Sequence, residues 1–161
     1  MRLFLDSSAL AKRYVRDAGT DRLAALCAEA DQVIVSILAL PELMSTLNRL
    51  RRAGRLSESD YATIKQDVLD DLEEATTIEL TPGAVRQAVA CLERARLRSS
   101  DALHLASAME ASPDLFVTAD RRQRGAAISA GLKVEPLGLR ERALPRTHDR
   151  AADAQDEVAA S

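Results

Sequence analysis

Short apolar runs of strand type alternate with longer helical patterns along this chain, and the alternation restricts the folds that it can adopt. The runs lie at residues 3–5, 33–35, 77–80, 115–117 and 133–135. Strands separated by helices predict a mostly parallel sheet, because a parallel connection needs a crossover as long as a helix. We therefore predict an α/β fold, a three-layer α/β/α sandwich around a sheet of roughly five strands.

The alternating pattern ends before the chain does. The chain has 161 residues, which suits one domain with a sizeable core better than two domains. Residues 140–161 are rich in alanine and in charges of both signs, and they have no apolar period. We predict one domain over residues 1–139 and a mobile tail over residues 140–161, with ordering of the tail on a partner as the alternative.

The composition excludes some functions and leaves others open. Aromatic residues make up 2% of the chain, so we do not expect bases to stack on an aromatic platform. The net charge of -3 gives no general attraction to nucleic acid, but all except three of the 22 basic residues are arginines, which bind phosphate well. Cys27 and Cys91 lack a metal-ligand spacing and are predicted to be buried free thiols. No segment predicts a membrane span or a secretory leader, and we expect a cytoplasmic protein.

Four carboxylates occupy positions where such a fold places ligands. Asp6 follows the first strand, Glu42 opens the helix after the second, Asp101 begins the helix before the fourth, and Asp120 follows the fourth. In open α/β sheets, ligands bind beyond the carboxyl ends of the strands. The sequence therefore predicts that these acids converge on one edge of the sheet.

A cluster of this kind is costly unless a cation neutralises it. Two carboxylates about 6 Å apart repel by on the order of 3 kcal/mol at an effective dielectric constant of about 20. Oxygen ligands alone suit Mg²⁺ or Mn²⁺ and not zinc. Each acid also has a plainer explanation, because the helix dipole favours Asp and Glu in the first turn of a helix. That explanation is weaker for Asp6, since Ser7 or Ser8 can cap the same helix.

Two further patterns are interpreted as parts of the core. His104 lies one turn after Asp101 and is the only histidine before residue 140. We interpret it as a core or groove histidine and not as a metal ligand. In the helix predicted at residues 82–95, Val85, Val89 and Leu92 recur at helical spacing, and we predict that they face inward.

Four segments resemble, in their order and spacing, the motifs of the PIN-domain ribonucleases. They are LDSSALAKRY, LPELMSTLNR, RSSDALHLASA and LFVTADRRQ. The resemblance covers about residues 1–139, and the length of the chain is similar to that of the VapC toxins of bacterial toxin–antitoxin pairs. It implies an acidic site formed by Asp6, Glu42, Asp101 and Asp120, with Ser7 or Ser8 as the hydroxyl after the first acid and Thr118 as the hydroxyl before the last.

The resemblance implies a Mg²⁺-dependent endoribonuclease that acts as the toxin of such a pair, with Mn²⁺ as a substitute. Asp6 and Asp101 would be the principal ligands, and Glu42 and Asp120 would complete the site directly or through water. The arginines near these motifs are candidates for binding flanking phosphates of the RNA, with a solvated helix face as the plainer explanation for each: Arg13, Arg98, Arg121 and Arg122. The resemblance also implies a cognate antitoxin, a homodimer and an antitoxin groove on the helical hairpin at residues 41–75, with an ordinary core-covering hairpin as the alternative.

Two other classes of α/β protein fit the sequence less well. A haloacid-dehalogenase-type phosphatase needs a second aspartate two residues after the first, where this chain has Ser8. A response-regulator receiver domain needs an acid after its third strand and a lysine after its fifth, and the sequence offers neither. The alternative that stays open is a non-catalytic RNA-binding or scaffold domain with the same fold. No motif specifies the RNA target.

Overall fold

The first strand of the chain, β1 (Arg2–Leu5), lies at the centre of a parallel sheet in the computed structural model, which describes residues 1–138. It pairs with β2 (Gln32–Ser36) on one side and with β4 (Leu115–Thr118) on the other. The edge strands are β3 (Thr76–Ile78), beside β2, and β5 (Val134–Pro136), beside β4. All of these pairings are parallel, so the strands end along the same edge of the sheet.

Helices connect the strands in the described part of the chain. Their bounds are α1 (Ser7–Leu10), a 3₁₀ turn (Ala11–Arg13), α2 (Thr20–Ala28), α3 (Ala39–Arg52), α4 (Glu58–Glu74), α5 (Pro82–Arg94), α6 (Ser99–Ala111) and α7 (Arg121–Ser129). No helix among residues 1–138 is long and apolar enough to cross a membrane.

The sheet is buried on both faces, as is usual for parallel strands. Leu3 and Leu5 of β1 point to one face, where α1, α2, α3 and α4 cover them. Phe4 points to the other face, where it stacks on Phe116 with ring centroids 5.6 Å apart and lies under α6 and α7. The structure therefore confirms the predicted α/β/α sandwich.

The exposed face of α5 differs from the prediction. Val85, Val89 and Leu92 are 45%, 51% and 39% exposed, so the prediction that they face inward is wrong. The helix instead buries Ala84 and Ala88 against small side chains of α6. Small side chains at a contact let two helices approach closely, and the larger apolar face of α5 is left at the surface.

Other differences are smaller. The apolar runs at residues 3–5, 33–35 and 115–117 match β1, β2 and β4, whereas β3 and β5 are displaced by one or two residues from the predictions. Cys27 and Cys91 are free thiols, as predicted, but they are only partly buried. Leu139 and the predicted tail at 140–161 lie outside the described residues.

Candidate acidic site at the carboxyl edge of the sheet

Asp6 lies directly after β1, and its side chain is buried at the carboxyl edge of the sheet with only 1% of the residue exposed. Its Oδ1 atom accepts hydrogen bonds from the Ala9 backbone N–H and from the Ser8 hydroxyl, both at 2.7 Å. Its Oδ2 atom accepts a hydrogen bond from the Thr118 hydroxyl. Burial raises the pKa of Asp6, while these donors oppose the rise because they stabilise the ionised carboxylate.

The hydroxyls of Ser8 and Thr118 connect the end of β1 to the end of β4. Besides donating to Asp6, Ser8 Oγ accepts a hydrogen bond from the Ala119 N–H at 2.9 Å. Thr118 Oγ1 accepts one from the Asp120 N–H at 3.0 Å. Of the hydroxyls proposed from the sequence, these two contact the first acid directly.

Glu42, in the first turn of α3, is held by side chains from two other helices. His104 Nε2 lies 2.9 Å from Glu42 Oε2 and 2.8 Å from Ser7 Oγ. Hydrogen bonding from His104, joined by Ser7 and Ser100, lowers the pKa of Glu42 to about 2, although partial burial opposes the shift. Glu42 is therefore an ionised carboxylate that neighbouring donors hold in place.

Asp101 and Asp120 lie at the starts of α6 and α7. Asp101 Oδ2 accepts a hydrogen bond from the Arg98 N–H at 3.2 Å. Asp120 Oδ1 accepts from the Arg122 and Gln123 N–H groups at 2.7 and 3.0 Å. The Gln123 side chain donates to the Asp101 carbonyl at 3.1 Å, which joins the two helix starts. Both carboxylates thus cap their own helices, in line with the plainer explanation from the helix dipole.

The acids share one edge of the sheet but not one coordination sphere. Burial raises the pKa of Asp101, and the charges of Asp120 and Glu42 raise it further, while the Arg98 N–H and the Arg98 charge oppose the rise. These three carboxylates are thus close enough to repel. Within residues 1–138, no arginine or lysine forms an ion pair with Asp6, Asp101 or Asp120. In the same part of the chain, no three His, Cys, Asp or Glu side chains are arranged to hold a metal ion.

The donors nevertheless fit a hard divalent cation by their chemistry. All four side chains supply carboxylate oxygens, the ligands that Mg²⁺ and Mn²⁺ prefer. An ionised carboxylate has about four lone-pair sites, and three protein donors contact Asp6. Asp6 therefore keeps one lone-pair site that none of these donors uses, and the mutual repulsion of Asp101, Asp120 and Glu42 favours a cation.

Three of the four candidate phosphate-binding arginines are exposed beside the acids. Arg98 precedes α6, and Arg121 and Arg122 begin α7. Arg13 is not with them, because its Nη2 atom lies 2.9 Å from Asp71 Oδ2 in a cleft beside the start of β2. Arg13 is thus paired and near the opposite end of the strands, which does not suit the predicted phosphate role.

Sequence reasoning missed two side chains at this edge. His104 is buried, in agreement with its interpretation as a core or groove histidine, but its contacts with Glu42 and Ser7 are not predicted by the sequence. Gln123 is 2% exposed and links α7 to the start of α6. The available signals were positional: His104 follows Asp101 by one helical turn, and Gln123 lies in the first turn after Asp120.

Comparison with known proteins relates the chain to a family. A family model for the PIN domain matches residues 3–128. Ribonuclease VapC45 of Mycobacterium tuberculosis is 36% identical over 140 residues, which cover 85% of this chain and 96% of that protein. Ribonuclease VapC46 of the same species is 33% identical over 140 residues, which cover 82% of this chain and 95% of that protein.

Solved structures share the fold at lower identity. VapC20 of Mycobacterium tuberculosis, a sarcin–ricin loop cleaving toxin, has a TM-score of 0.62 at 20% identity over 86% of this chain and 99% of that one. A toxin–antitoxin complex from Klebsiella pneumoniae contains a chain with a TM-score of 0.56 at 17% identity over 75% of this chain and 88% of that one. The sequence resemblance and the predicted fold are both confirmed: the chain belongs to the PIN-domain family and, within it, to the VapC ribonucleases.

Proposed function

We propose that this protein is a metal-dependent endoribonuclease and the toxin of a toxin–antitoxin pair. One observation carries the proposal: four different helix starts bring Asp6, Glu42, Asp101 and Asp120 to one edge of the sheet, and within residues 1–138 three of these acids have no basic ion-pair partner. Acids in this arrangement repel, and a divalent cation relieves the repulsion. The ribonuclease names of the relatives support the same activity.

The proposed metal ligands are Asp6 and Asp101, with Glu42 and Asp120 completing the site directly or through water. When bound, Mg²⁺ or Mn²⁺ supplies a water of lowered pKa and neutralises charge on the scissile phosphate. The protein's own part is to hold the carboxylates where they are needed. The backbone N–H of Ala9 and two hydroxyls restrain the Asp6 carboxylate, so only small motions of the side chain are open to it.

The exposed arginines beside the acids are proposed to bind the RNA. Arg98, Arg121 and Arg122 lie at the starts of α6 and α7, next to Asp101 and Asp120 in the sequence. Guanidinium groups bind phosphate oxygens in a bidentate manner, and contacts of this kind position a backbone without reading its sequence. We therefore assign these arginines to the phosphates that flank the cleaved bond.

The RNA assay uses the purified chain with structured and single-stranded RNA, in Mg²⁺ and in EDTA. Asp6→Asn is the test variant. Asp70→Asn is the matched control, because Asp70 is an exposed acid on α4 whose side chain contacts only Gln66 among the described residues. We expect wild-type and Asp70→Asn proteins to cleave RNA only with the metal, and Asp6→Asn not to cleave. Cleavage that survives EDTA or Asp6→Asn would overturn the mechanism.

The same assay distinguishes the proposed ribonuclease from the alternative, a non-catalytic RNA-binding or scaffold domain. That alternative predicts RNA binding by the wild-type protein without cleavage in any divalent metal. It also predicts equal binding by Asp6→Asn, because no ion would be required. An RNA substrate agrees with the predicted cytoplasmic location, which cell fractionation tests separately.

An antitoxin partner belongs to the proposal, and a cleft at the end of the helical hairpin suits it. The cleft has a volume of about 340 Å³, and its lining includes apolar Leu10, Val33 and Leu72, acidic Glu74 and the paired side chains of Arg13 and Asp71. We assign it to an antitoxin segment that inserts an apolar side chain next to a basic one. Leu72→Arg should abolish co-purification with the cognate antitoxin, while an unchanged complex would exclude the cleft.

A homodimer is the second assembly that we propose, through α5. Val85, Val89 and Leu92 form an exposed apolar stripe, and exposed Arg86 and Glu93 lie along one side of it. If two copies of α5 pack antiparallel about an axis near Val89, Arg86 of each copy faces Glu93 of the other. The face is then complementary to itself, as a twofold contact requires.

Charge reversal tests this dimer. Arg86→Glu or Glu93→Arg alone should lower the dimer fraction in sedimentation velocity experiments, because each places like charges opposite one another. The double variant should restore the dimer, and a mixture of the two single variants should form a heterodimer. A dimer that is indifferent to all three changes would exclude this face.

A further inference from the structure

His104 connects the starts of α1, α3 and α6 at the carboxyl edge of the sheet. The residue is 1% exposed on α6, and its Nε2 atom lies 2.8 Å from Ser7 Oγ on α1 and 2.9 Å from Glu42 Oε2 on α3. Its other ring nitrogen, Nδ1, is buried and has no hydrogen-bond partner among residues 1–138. One ring nitrogen thus makes two polar contacts, and the other makes none.

Packing alone does not explain a histidine at this position. A buried polar atom without a partner lowers the stability of a folded protein. An apolar side chain at this position would not carry that loss. What the histidine adds is a hydrogen-bond donor at Nε2, directed at Glu42.

The surroundings of the ring select one tautomer. A proton on Nδ1 would be buried without an acceptor, since no acceptor contacts Nδ1 in the described residues. Nε2 faces the Glu42 carboxylate, which accepts a proton donor readily. The neutral ring with its proton on Nε2 meets both conditions. The Ser7 hydroxyl is then free to donate to Glu42 as well.

We propose that His104 is a positioning residue for Glu42 in the acidic site. Its Nε2–H fixes the Glu42 carboxylate against the starts of α1 and α6, beside Asp101. The Glu42 side chain is 33% exposed, so without this donor only the weaker contacts with Ser7 and Ser100 oppose its rotation towards solvent and away from the other acids. This inference rests on the proposed ribonuclease function.

The position of the donor, and not the mere presence of a polar side chain, is what the inference requires. Glutamine carries an amide nitrogen at nearly the same distance from the backbone as histidine Nε2, whereas asparagine places its amide near the position of Nδ1. His104→Gln therefore keeps the donor, His104→Asn moves it, and His104→Leu removes it. The three variants form a matched series at one site.

The first experiment examines the metal-free protein. Nitrogen-15 NMR of the His104 ring should show the Nε2–H tautomer in the wild-type chain and the loss of its hydrogen bond in Glu42→Ala, which has no acceptor at this position. Thermal denaturation should show that all three His104 variants fold, so that their Mn²⁺ affinities and cleavage rates can be compared. A ring whose Nε2 carries no proton, and so donates nothing to Glu42, would overturn the inference without any reference to activity.

The second experiment compares Mn²⁺ binding by electron paramagnetic resonance with RNA cleavage. Loss of a side chain that orients a metal ligand lowers metal affinity or activity by about 10- to 100-fold, and we expect that loss in His104→Asn and His104→Leu. His104→Gln should keep most of the wild-type Mn²⁺ affinity and cleavage rate. Equal behaviour of folded His104→Gln and His104→Asn, whether both active or both inactive, would overturn the inference.

The two proposals fail in distinguishable ways. If the wild-type chain cleaves no RNA, the proposed function fails. The tautomer of His104 and the Mn²⁺ affinities of the three His104 variants still decide the role of this residue. If the wild-type chain cleaves RNA and folded His104→Leu matches it in rate and Mn²⁺ affinity, only the role of His104 fails. If His104→Leu does not fold, the comparison of His104→Gln with His104→Asn decides.

Discussion

The two ends of the sheet treat their acidic residues in opposite ways. Near the starts of the strands, Asp71 of α4 pairs with the Arg13 guanidinium at 2.9 Å and accepts a hydrogen bond from the Tyr14 hydroxyl at 2.6 Å. At the carboxyl edge, hydroxyls and backbone N–H groups hold Asp6, and within residues 1–138 no guanidinium or ammonium group pairs with it. Both carboxylates are held in place, but only Asp71 is paired with a positively charged side chain.

The difference separates a structural acid from one that is available to a ligand. A carboxylate paired with arginine has its charge satisfied inside the protein, so it contributes to the fold and has little left to offer an ion. Neutral donors fix a carboxylate equally well and leave its charge uncompensated. The kind of partner, more than the depth of burial, therefore distinguishes the two ends of this molecule.

The largest expected effect is on RNA cleavage. Asp6→Asn and Asp101→Asn should each lower kcat/KM by at least about 100-fold, because a metal ion contributes several kcal/mol to the transition state. Asp71→Asn should cleave RNA at nearly the wild-type rate. Cleavage rates on one purified RNA, measured well below the melting temperature of each variant, make the comparison. A matching loss in Asp71→Asn would break the distinction between the two ends.

The next effect is on stability at the other end of the sheet. Asp71→Ala removes the partner of Arg13 and of the Tyr14 hydroxyl, and we expect the free energy of unfolding to fall by about 1.5–3 kcal/mol. Urea denaturation measures it, with Asp70→Ala as the neighbouring exposed control. Tyr14→Phe and the double variant complete a cycle in which the two losses should not add. Additive losses would mean that the Tyr14 hydroxyl does not stabilise Asp71.

A smaller effect of the opposite sign is expected at the carboxyl edge. In metal-free buffer Asp101→Asn should raise the melting temperature, because it removes one of three repelling charges. For a half-exposed group we expect the free energy of unfolding to rise by about 0.5–1 kcal/mol. Asp6→Asn should act in the same direction, since it removes a buried charge and keeps a capping oxygen. Both gains should shrink when Mg²⁺ is added. If both substitutions lower the melting temperature, the acids are structural caps.

The smallest effect concerns alkaline pH. Burial, the hydrogen bond to Asp71 and the Asp71 charge raise the pKa of Tyr14 above its ordinary value of 10.0. The folded protein therefore keeps a proton that the unfolded chain loses above that pH, so this contribution to stability is complete below pH 10 and declines as the pH rises. Tyr14→Phe should lessen the decline in urea midpoints at alkaline pH. If the decline in stability is the same in Tyr14→Phe, then groups other than Tyr14 cause it.

The sequence was sufficient to predict the central strands and the edge at which the acids meet. The runs at 3–5, 33–35 and 115–117 are apolar because β1, β2 and β4 are covered on both faces, so their signal is strong. The edge strands β3 and β5 are only partly buried and contain more polar residues, which explains their displaced bounds. The motif spacing then located Asp6, Glu42, Asp101 and Asp120 on helix starts.

What the sequence did not yield depends on contacts between distant segments. The helix α5 has one face of alanines and one of valine and leucine, and hydrophobic spacing alone favours the larger side chains as the buried ones. The alanine-rich surface of α6 selects the smaller face. The role of His104 likewise depends on Glu42, which lies 62 residues earlier in the chain, and no local pattern relates the two.

The hydroxyl links between β1 and β4 have a consequence for amide hydrogen exchange. The amide protons of Ala119 and Asp120 are bonded to the Ser8 and Thr118 hydroxyls and not to a strand or helix backbone. Both hydroxyls also donate to Asp6, so these two amides are protected only while the Asp6 carboxylate stays in place. Their exchange rates therefore report local opening of the acidic edge, separately from the global unfolding that the amides of β1 record.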